Sequence, residues 1–282
     1  MSTGTYTDKL YKFLESNRVK KVDGDEKSSH YSMGTPVGSF YISGVKRDRL
    51  NRLTARALGE GTTLHLLEKP RGQGPIIFDI DIKYHSDNNT RRYTYDHILK
   101  TVEIYNSVIN KYLNIDPEHG HCFITEKKYP NKTNEMIYKD GFHGEYPNIV
   151  ASIDMKYIIH REVVDEFEKS DYYNNINPLN KYCDIFDEMI IRDTNWFLYG
   201  CCKPQREPYL LTHVIGSDLQ EYNYKNKFTL ENLPSILSIR QFGTEDLTMY
   251  NDNITDDIVK DKFAKLNIKK KKVHTTRKRS RE

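Results

Sequence analysis

Cysteine is scarce in this chain. Cys122, Cys183, Cys201 and Cys202 are the only four among 282 residues, and no Cys-x-x-Cys pair occurs. That excludes a disulfide framework, gives no cysteine-based zinc site, and points to a reducing, intracellular setting. Long apolar runs are missing too. None approaches the roughly 20 residues of a membrane span, and residues 1–5 carry no apolar signal segment. The expectation is an intracellular, soluble protein with no membrane and no zinc. There is no internal repeat. There is also no Gly-x-x-x-x-Gly-Lys-Ser/Thr stretch, so the chain holds no phosphate loop of the helicase type.

What is present fits a globular protein with a real core: 37% hydrophobic and 29% charged residues. The length allows one large domain or two smaller ones. The net charge of +3 hides an asymmetry. Residues 269–282 hold eight Lys or Arg and one Glu, which leaves the body with 35 basic against 39 acidic residues. The segment 267–282 is therefore expected to be a basic, disordered tail or linker. It would contact phosphates, act as a nuclear address, or lead into something further along.

Taken in order, 6–17 predicts a helix with Thr5 or Thr7 as its cap, and 19–29 a charged loop. Residues 38–42 predict a strand, 46–58 a helix stopped by Gly59-Glu60-Gly61, and 62–67 a second strand. Next comes an apolar, β-branched strand opened by Gly74-Pro75. The clearest helix spans 95–113. Strands follow over 120–127 and from 137 to 150, and then a helix to about 169 capped by Asp154. Residues 170–180 predict a loop, and 183–191 a short helix or a strand. Further strands are expected at 196–200, 209–214 and 235–239, with a last element at 254–266. Helices and strands alternate without βαβ regularity, so the expected class is α+β with a mixed or antiparallel sheet. The expected divisions are 1–29, a catalytic domain over 30–266, and the tail.

Four polar sets sit against strand-like segments. In Phe78-Asp79-Ile80-Asp81-Ile82 the alternation of a strand places both aspartates on one face, about 6.5–7 Å apart along the backbone. Two like charges there call for a counter-ion, and one or two hard cations would serve. The second set is Lys139-Asp140-Gly141-Phe142-His143, whose glycine allows a bend or a close approach and whose Lys and His suit a phosphate. The third is Ile185-Phe186-Asp187. The fourth is Trp196-Phe197-Leu198-Tyr199-Gly200-Cys201-Cys202-Lys203-Pro204, an aromatic strand running into a Gly turn that presents one lysine. Each alone is ordinary: wet aspartates, a surface histidine, a charged helix face, a core stripe.

Their order is specific. It resembles the archaeo-eukaryotic primase superfamily, most closely the primase part of the poxvirus-type primase–helicases of large nucleocytoplasmic DNA viruses. The Asp-x-Asp strand matches Asp79 and Asp81, the small-x-His motif matches Gly141-Phe142-His143 with Tyr146-Pro147 after it, and the third acid matches Asp187. The viral Trp-x-x-Tyr-Gly-Ser-x-Lys-Pro matches at Trp196, Tyr199, Gly200, Lys203 and Pro204, with Cys201 where Ser is usual. Glu68-Lys69-Pro70, Gly38-Ser39-Phe40, Glu207 to Thr212 and Leu237-Ser238-Ile239-Arg240 also look like that group. The likeness covers roughly 30–241.

The resemblance implies an RRM-like catalytic sheet flanked by helices, and a primase or primase-polymerase extending primers on a single-stranded DNA template from NTPs or dNTPs. It implies two Mg²⁺ or Mn²⁺ ions held by Asp79, Asp81 and Asp187. The triphosphate would rest on His143 and Lys139 with Lys203, and Lys69 and Arg240 as further contacts. It also implies a downstream helicase module and a viral setting in the host cytoplasm or nucleus. Three other readings share parts of the pattern: an Asp-x-Asp glycosyltransferase, a metal-dependent nuclease, and a non-catalytic nucleic-acid-binding module. Only the primase reading uses all four sets.

Overall fold

The computed structural model describes residues 4–19, 28–241 and 246–266. The tail at 267–282 and most of the expected loop at 19–29 lie outside them. The architecture is α+β, as expected, and every pairing between its strands is antiparallel.

Two sheets face each other. The smaller runs in the order β2 (Gly38–Phe40), β1 (His30–Ser32), β3 (Leu66–Glu68), β8 (Trp196–Phe197). One face packs on α1 (Tyr6–Glu15) and α2 (Gly44–Gly59) through Leu10, Leu14, Phe40, Leu50 and Leu66. A capping box starts α1: the Thr5 hydroxyl accepts from the Asp8 N–H while the Asp8 carboxylate accepts from the Thr5 N–H, satisfying two helix-end donors.

The larger sheet runs β4 (Gln73–His85), β7 (Ile137–Ser152), β5 (Cys122–Glu126), β9 (Leu210–Ile215), with β6 (Asn131–Lys132) also paired to β7. Its apolar face carries Phe78, Ile80, Ile82 and Tyr84 from β4. They bury against α3 (Tyr95–Tyr112) and α4 (Ile153–Ser170), whose Val102, Tyr105, Ile158 and Phe167 belong to the same core. The Phe78 ring stacks on Tyr105 at 4.2 Å. Burying one such ring contributes about 1.5–3 kcal/mol, so this face fixes which way β4 points its aspartates.

Several local expectations are corrected. The cap of α4 is Ser152, whose hydroxyl accepts from the Met155 N–H. Asp154 lies inside the first turn, where its charge still suits the helix dipole. Residues 170–180 are not all loop: a 3₁₀ turn, Tyr172–Ile176, buries Tyr173 completely. The segment expected as a strand at 235–239 starts instead as a short helix, α6 (Leu233–Ile236), because Pro234 sits in the first turn, where it needs no N–H partner. Residues 183–191 divide into α5 (Tyr182–Ile185) and a 3₁₀ turn, Glu188–Ile191. The strand expected at 62–67 begins only at Leu66, and that at 196–200 ends at Phe197, before Gly200 turns with φ of 77°. A helix is described from 256 to 266.

Candidate active site

Strand β4 sends Phe78, Ile80 and Ile82 into the core, so Asp79 and Asp81 face the other way. Strand β7 lies in register beside it. His143 is opposite Asp79, Gly141 opposite Asp81, and Lys139 opposite Lys83. Alternation then puts Lys139, Gly141 and His143 on the face of the aspartates. The Lys139 ammonium reaches diagonally to Asp81 Oδ2 at 2.5 Å, and His143 Nε2 lies 3.3 Å from Asp79 Oδ1. Gly141 is required by the pairing itself, since a Cβ there would stand 1.6 Å from the Ile80 carbonyl oxygen.

Asp187 arrives from far along the chain. Phe186 forms a bridge with Ile80, and the Asp187 N–H donates to the Asp79 carbonyl at 3.1 Å. Its carboxylate accepts from the Met189 N–H, capping the turn that follows. The three acids, His143, Lys139 and Lys203 all line one cavity of about 580 Å³ between the two sheets. Tyr31, Leu67 and Phe197 close it from the smaller sheet, and Arg206 and Tyr209 from the segment before β9.

Lys69 and Arg240 are not among the cavity-lining residues. Lys69 hydrogen-bonds Ser28, and Arg240 donates to the Lys69 carbonyl at 2.6 Å. Arg240 is one of the charges acting on the buried Glu68.

Lys127 and Tyr209 line the cavity but are missing from the candidate residues read from the sequence. Lys127 follows β5, in which Phe123 pairs with Glu145 and Thr125 with His143. Continuing that alternation by one step would have found it. Tyr209 stacks on the His143 ring at 3.6 Å and 21°, and the Lys127 ammonium lies 4.5 Å from the same tyrosine ring. Trp196 packs 4.5 Å from His143 and donates to the buried Glu145. Behind these strands Arg91 joins Glu126, Asp140 and the Lys127 carbonyl, at 2.5, 2.9 and 2.6 Å, tying the ends of β5 and β7 together.

The electrostatics set the acids apart. Burial works against the charge of Asp79, but His143 and then Lys139 and Lys127 overcome it and hold its carboxyl below the usual range. Burial and the neighbouring Asp79 push Asp81 up, against the pull of Lys139. Burial lowers Lys127, helped by Lys139 and opposed by the two aspartates. Asp79 Oδ1 is buried, with His143 Nε2 3.3 Å away as its ion-pair partner. Among the described residues no three ligating side chains already converge as a metal cluster. Lys139 and His143 are drawn onto the aspartates, and Asp187 onto Met189. Three hard carboxylate donors on one cavity nonetheless suit a divalent ion such as Mg²⁺ or Mn²⁺.

Comparison with known proteins gives the family. Residues 29–215 match the family of the C962R protein N-terminal AEP domain, AEP standing for archaeo-eukaryotic primase. A protein named "Putative helicase L207/L206" from Acanthamoeba polyphaga mimivirus is 30% identical over 270 residues, covering 92% of this chain and 28% of its own. "Putative helicase 184R" from Invertebrate iridescent virus 6 is 24% identical over 234 residues, covering 76% of this chain and 24% of its own. The chain thus spans about a quarter of the length of these relatives. No helix among the described residues is long and apolar enough to cross a membrane. With Asp-x-Asp, Gly-Phe-His and the third acid all inside the matched span, the chain belongs to the archaeo-eukaryotic primase superfamily, in the group of C962R-type N-terminal domains of large DNA viruses.

Proposed function

We propose that this chain is a DNA primase or primase-polymerase module, which joins nucleotides from NTPs or dNTPs on a single-stranded DNA template. What supports this most is the convergence of three acids from two distant segments with His143, Lys139, Lys127 and Lys203 on one cavity. A cavity with carboxylates at one side and cations around them matches a triphosphate held beside divalent ions.

Asp79, Asp81 and Asp187 would hold Mg²⁺ or Mn²⁺. When bound, such ions stabilise the charge that develops on the attacking and leaving oxygens of in-line nucleotidyl transfer. The chain's own residues do the binding and orienting. Lys139 exchanges its aspartate partner for a phosphate oxygen, as does His143, whose ring plane is held by Tyr209 and Trp196. Lys127 and Lys203 neutralise the rest of the triphosphate. The sheet face provides a rigid frame, so little reorganisation is needed as charge moves. In the longer relatives a helicase module would act beside this one, unwinding duplex to supply template.

The test is primer synthesis by the purified chain on single-stranded DNA with labelled nucleotides and Mg²⁺ or Mn²⁺. Labelled products that lengthen with time and require template support the reading. Turnover of nucleotide-sugars without template, or net shortening of the DNA, would replace it with a glycosyltransferase or a nuclease.

A further inference from the structure

The larger sheet carries polar groups past its acids. On the face of Asp79 and Asp81 the next residue of β4 is Lys83. It pairs with Lys139 of β7, and Lys139 pairs in turn with Asn131 of β6. Directly paired residues put their side chains on one face. The three therefore form a row across the end of the sheet, one step beyond Asp81, with about 4.8 Å from strand to strand. Arg206, in the segment before β9, prolongs the row: its Nη1 donates to Asn131 Oδ1 at 3.4 Å.

We propose that Lys83, Asn131 and Arg206, on either side of Lys139 and with the exposed ring of Tyr129, hold the backbone of the single-stranded DNA template where it crosses the mouth of the cavity. The proposal rests on the nucleic-acid reading above and adds the path of the strand.

The acids of this region leave the row's outer cations unpaired. Asp81 is engaged by Lys139 at 2.5 Å and Asp79 by His143 at 3.3 Å. Glu207 follows Arg206 and lines the cavity, and Glu135 stands exposed between β6 and β7. Among the described residues neither of them forms an ion pair, and neither do the exposed Lys83 and Arg206. The triphosphate has His143, Lys139, Lys127 and Lys203 within the cavity, whereas Lys83 is not among the lining residues. A cation on the nucleotide's face but outside its cavity suits a polyanion that continues past the nucleotide, and guanidinium forks match phosphate oxygens. Outside residues 269–282 the chain has 35 basic against 39 acidic residues, so the row is a local concentration of positive charge.

The hairpin that carries Asn131 is held in shape. The Asn134 side-chain oxygen accepts from the Met136 and Ile137 N–H groups at 3.2 and 2.9 Å. The Thr133 N–H and hydroxyl both donate to the Ile137 carbonyl at 2.9 Å. Asn131 and Thr133 line the cavity, so the hairpin adjoins the nucleotide. Just before β6 the Lys128 ammonium lies 5.1 Å from the ring of Tyr129, which is 48% exposed. Cations interleaved with an aromatic face are what single strands use, phosphates on the first and a base on the second. Tyr129 thus points to a strand rather than a free phosphate.

The test measures binding of a fluorescent oligothymidylate to the whole chain by anisotropy, at several salt concentrations, without divalent metal or nucleotide. The variants are Lys83→Gln with Arg206→Gln, the charge-keeping pair Lys83→Arg with Arg206→Lys, Tyr129→Ala, and Lys132→Gln. Lys132 is the control, because it pairs with the core residue Tyr138 and so belongs to the other face of the hairpin. Thermal melting checks that each variant is folded, and the basic run at 269–282 is common to all. The Gln pair should weaken binding roughly tenfold and lower the salt slope by about 1.4, at about 0.7 per lost phosphate. The charge-keeping pair should keep the slope, Tyr129→Ala should lose affinity at unchanged slope, and Lys132→Gln should keep both. A Gln pair with wild-type affinity and slope overturns the proposal. So does a loss in Lys132→Gln as large, charge for charge, as in the Gln pair, or a loss seen only for a fluorescent nucleoside triphosphate and not for the oligonucleotide. None of these results touches the primer-synthesis test, which reads the Asp79 cavity.

Discussion

His143 and Asp79 face each other across the β4–β7 pair, with Nε2 3.3 Å from Oδ1. The contact is the hinge of the site's charge balance. It helps to hold Asp79 below the usual carboxylate range, while burial and Asp79 itself push the neighbouring Asp81 above it. Environments that push two carboxylates apart are a mark of catalytic pairs.

Asp79→Asn with Asp81→Asn should therefore lower primer synthesis at least about a hundredfold, while the protein still melts cooperatively. Millimolar Mg²⁺ should raise the melting temperature of the wild type by about 2–4 °C and leave that of the double variant unchanged. A wild-type rise that persists in the variant would place the ion elsewhere.

Lys127 is held in the cavity against the Tyr209 ring, and Lys203 is exposed at its edge. Steady-state kinetics should show the KM for nucleotide rising roughly tenfold or more for Lys127→Met and only about two- to threefold for Lys203→Met. Equal effects would argue against an inner and an outer cation.

Gly141→Ala should destabilise the fold by about 3 kcal/mol or more, because the new methyl would meet the Ile80 carbonyl oxygen. Gly61→Ala is the control. Its φ is 84°, but nothing stands within 4 Å of the added Cβ, so a cost near 1 kcal/mol is expected. Urea unfolding of the two variants separates steric conflict from backbone preference.

Glu145 supplies a pH signature. Burial raises its carboxyl to about 8, Glu68 adds to that, and Trp196 and Lys156 oppose it. The folded state thus binds this proton more tightly than the unfolded chain. The contribution is full below about 4.5 and is lost as pH rises through about 8. Glu145→Gln should remove that slope and leave the variant the more stable of the two above pH 8, by the order of a few kcal/mol. Denaturation across pH 4 to 9 reads the difference directly.

Much of the site is legible in the chain because a strand's period of two needs no tertiary information. Asp79, Asp81 and His143 follow from it, and their grouping follows once β4 and β7 pair. Lys127 is harder, since it stands one residue past the end of β5 and looks like a surface lysine. Lys69 and Arg240 mislead for the opposite reason. Their neighbours Leu67 and Ile239 are apolar and strand-like, but Pro234 begins a helix before Arg240, and β3 ends at Glu68, one residue before Lys69. The lengths of β3 and β8 also escape the sequence, because two- and three-residue strands are defined by their partners rather than by their own propensity.

The main-chain link from Asp187 to Asp79 has a consequence for how this module tolerates change. An amide donor is the same in every residue but proline, so the third acid is carried by a feature that side-chain replacement around it does not erase. Drift along the Glu188–Ile191 turn can proceed while the carboxylate keeps its station. A residue inserted between Phe186 and Asp187 would swing the acid to the reverse side, and no compensating substitution nearby would bring it back.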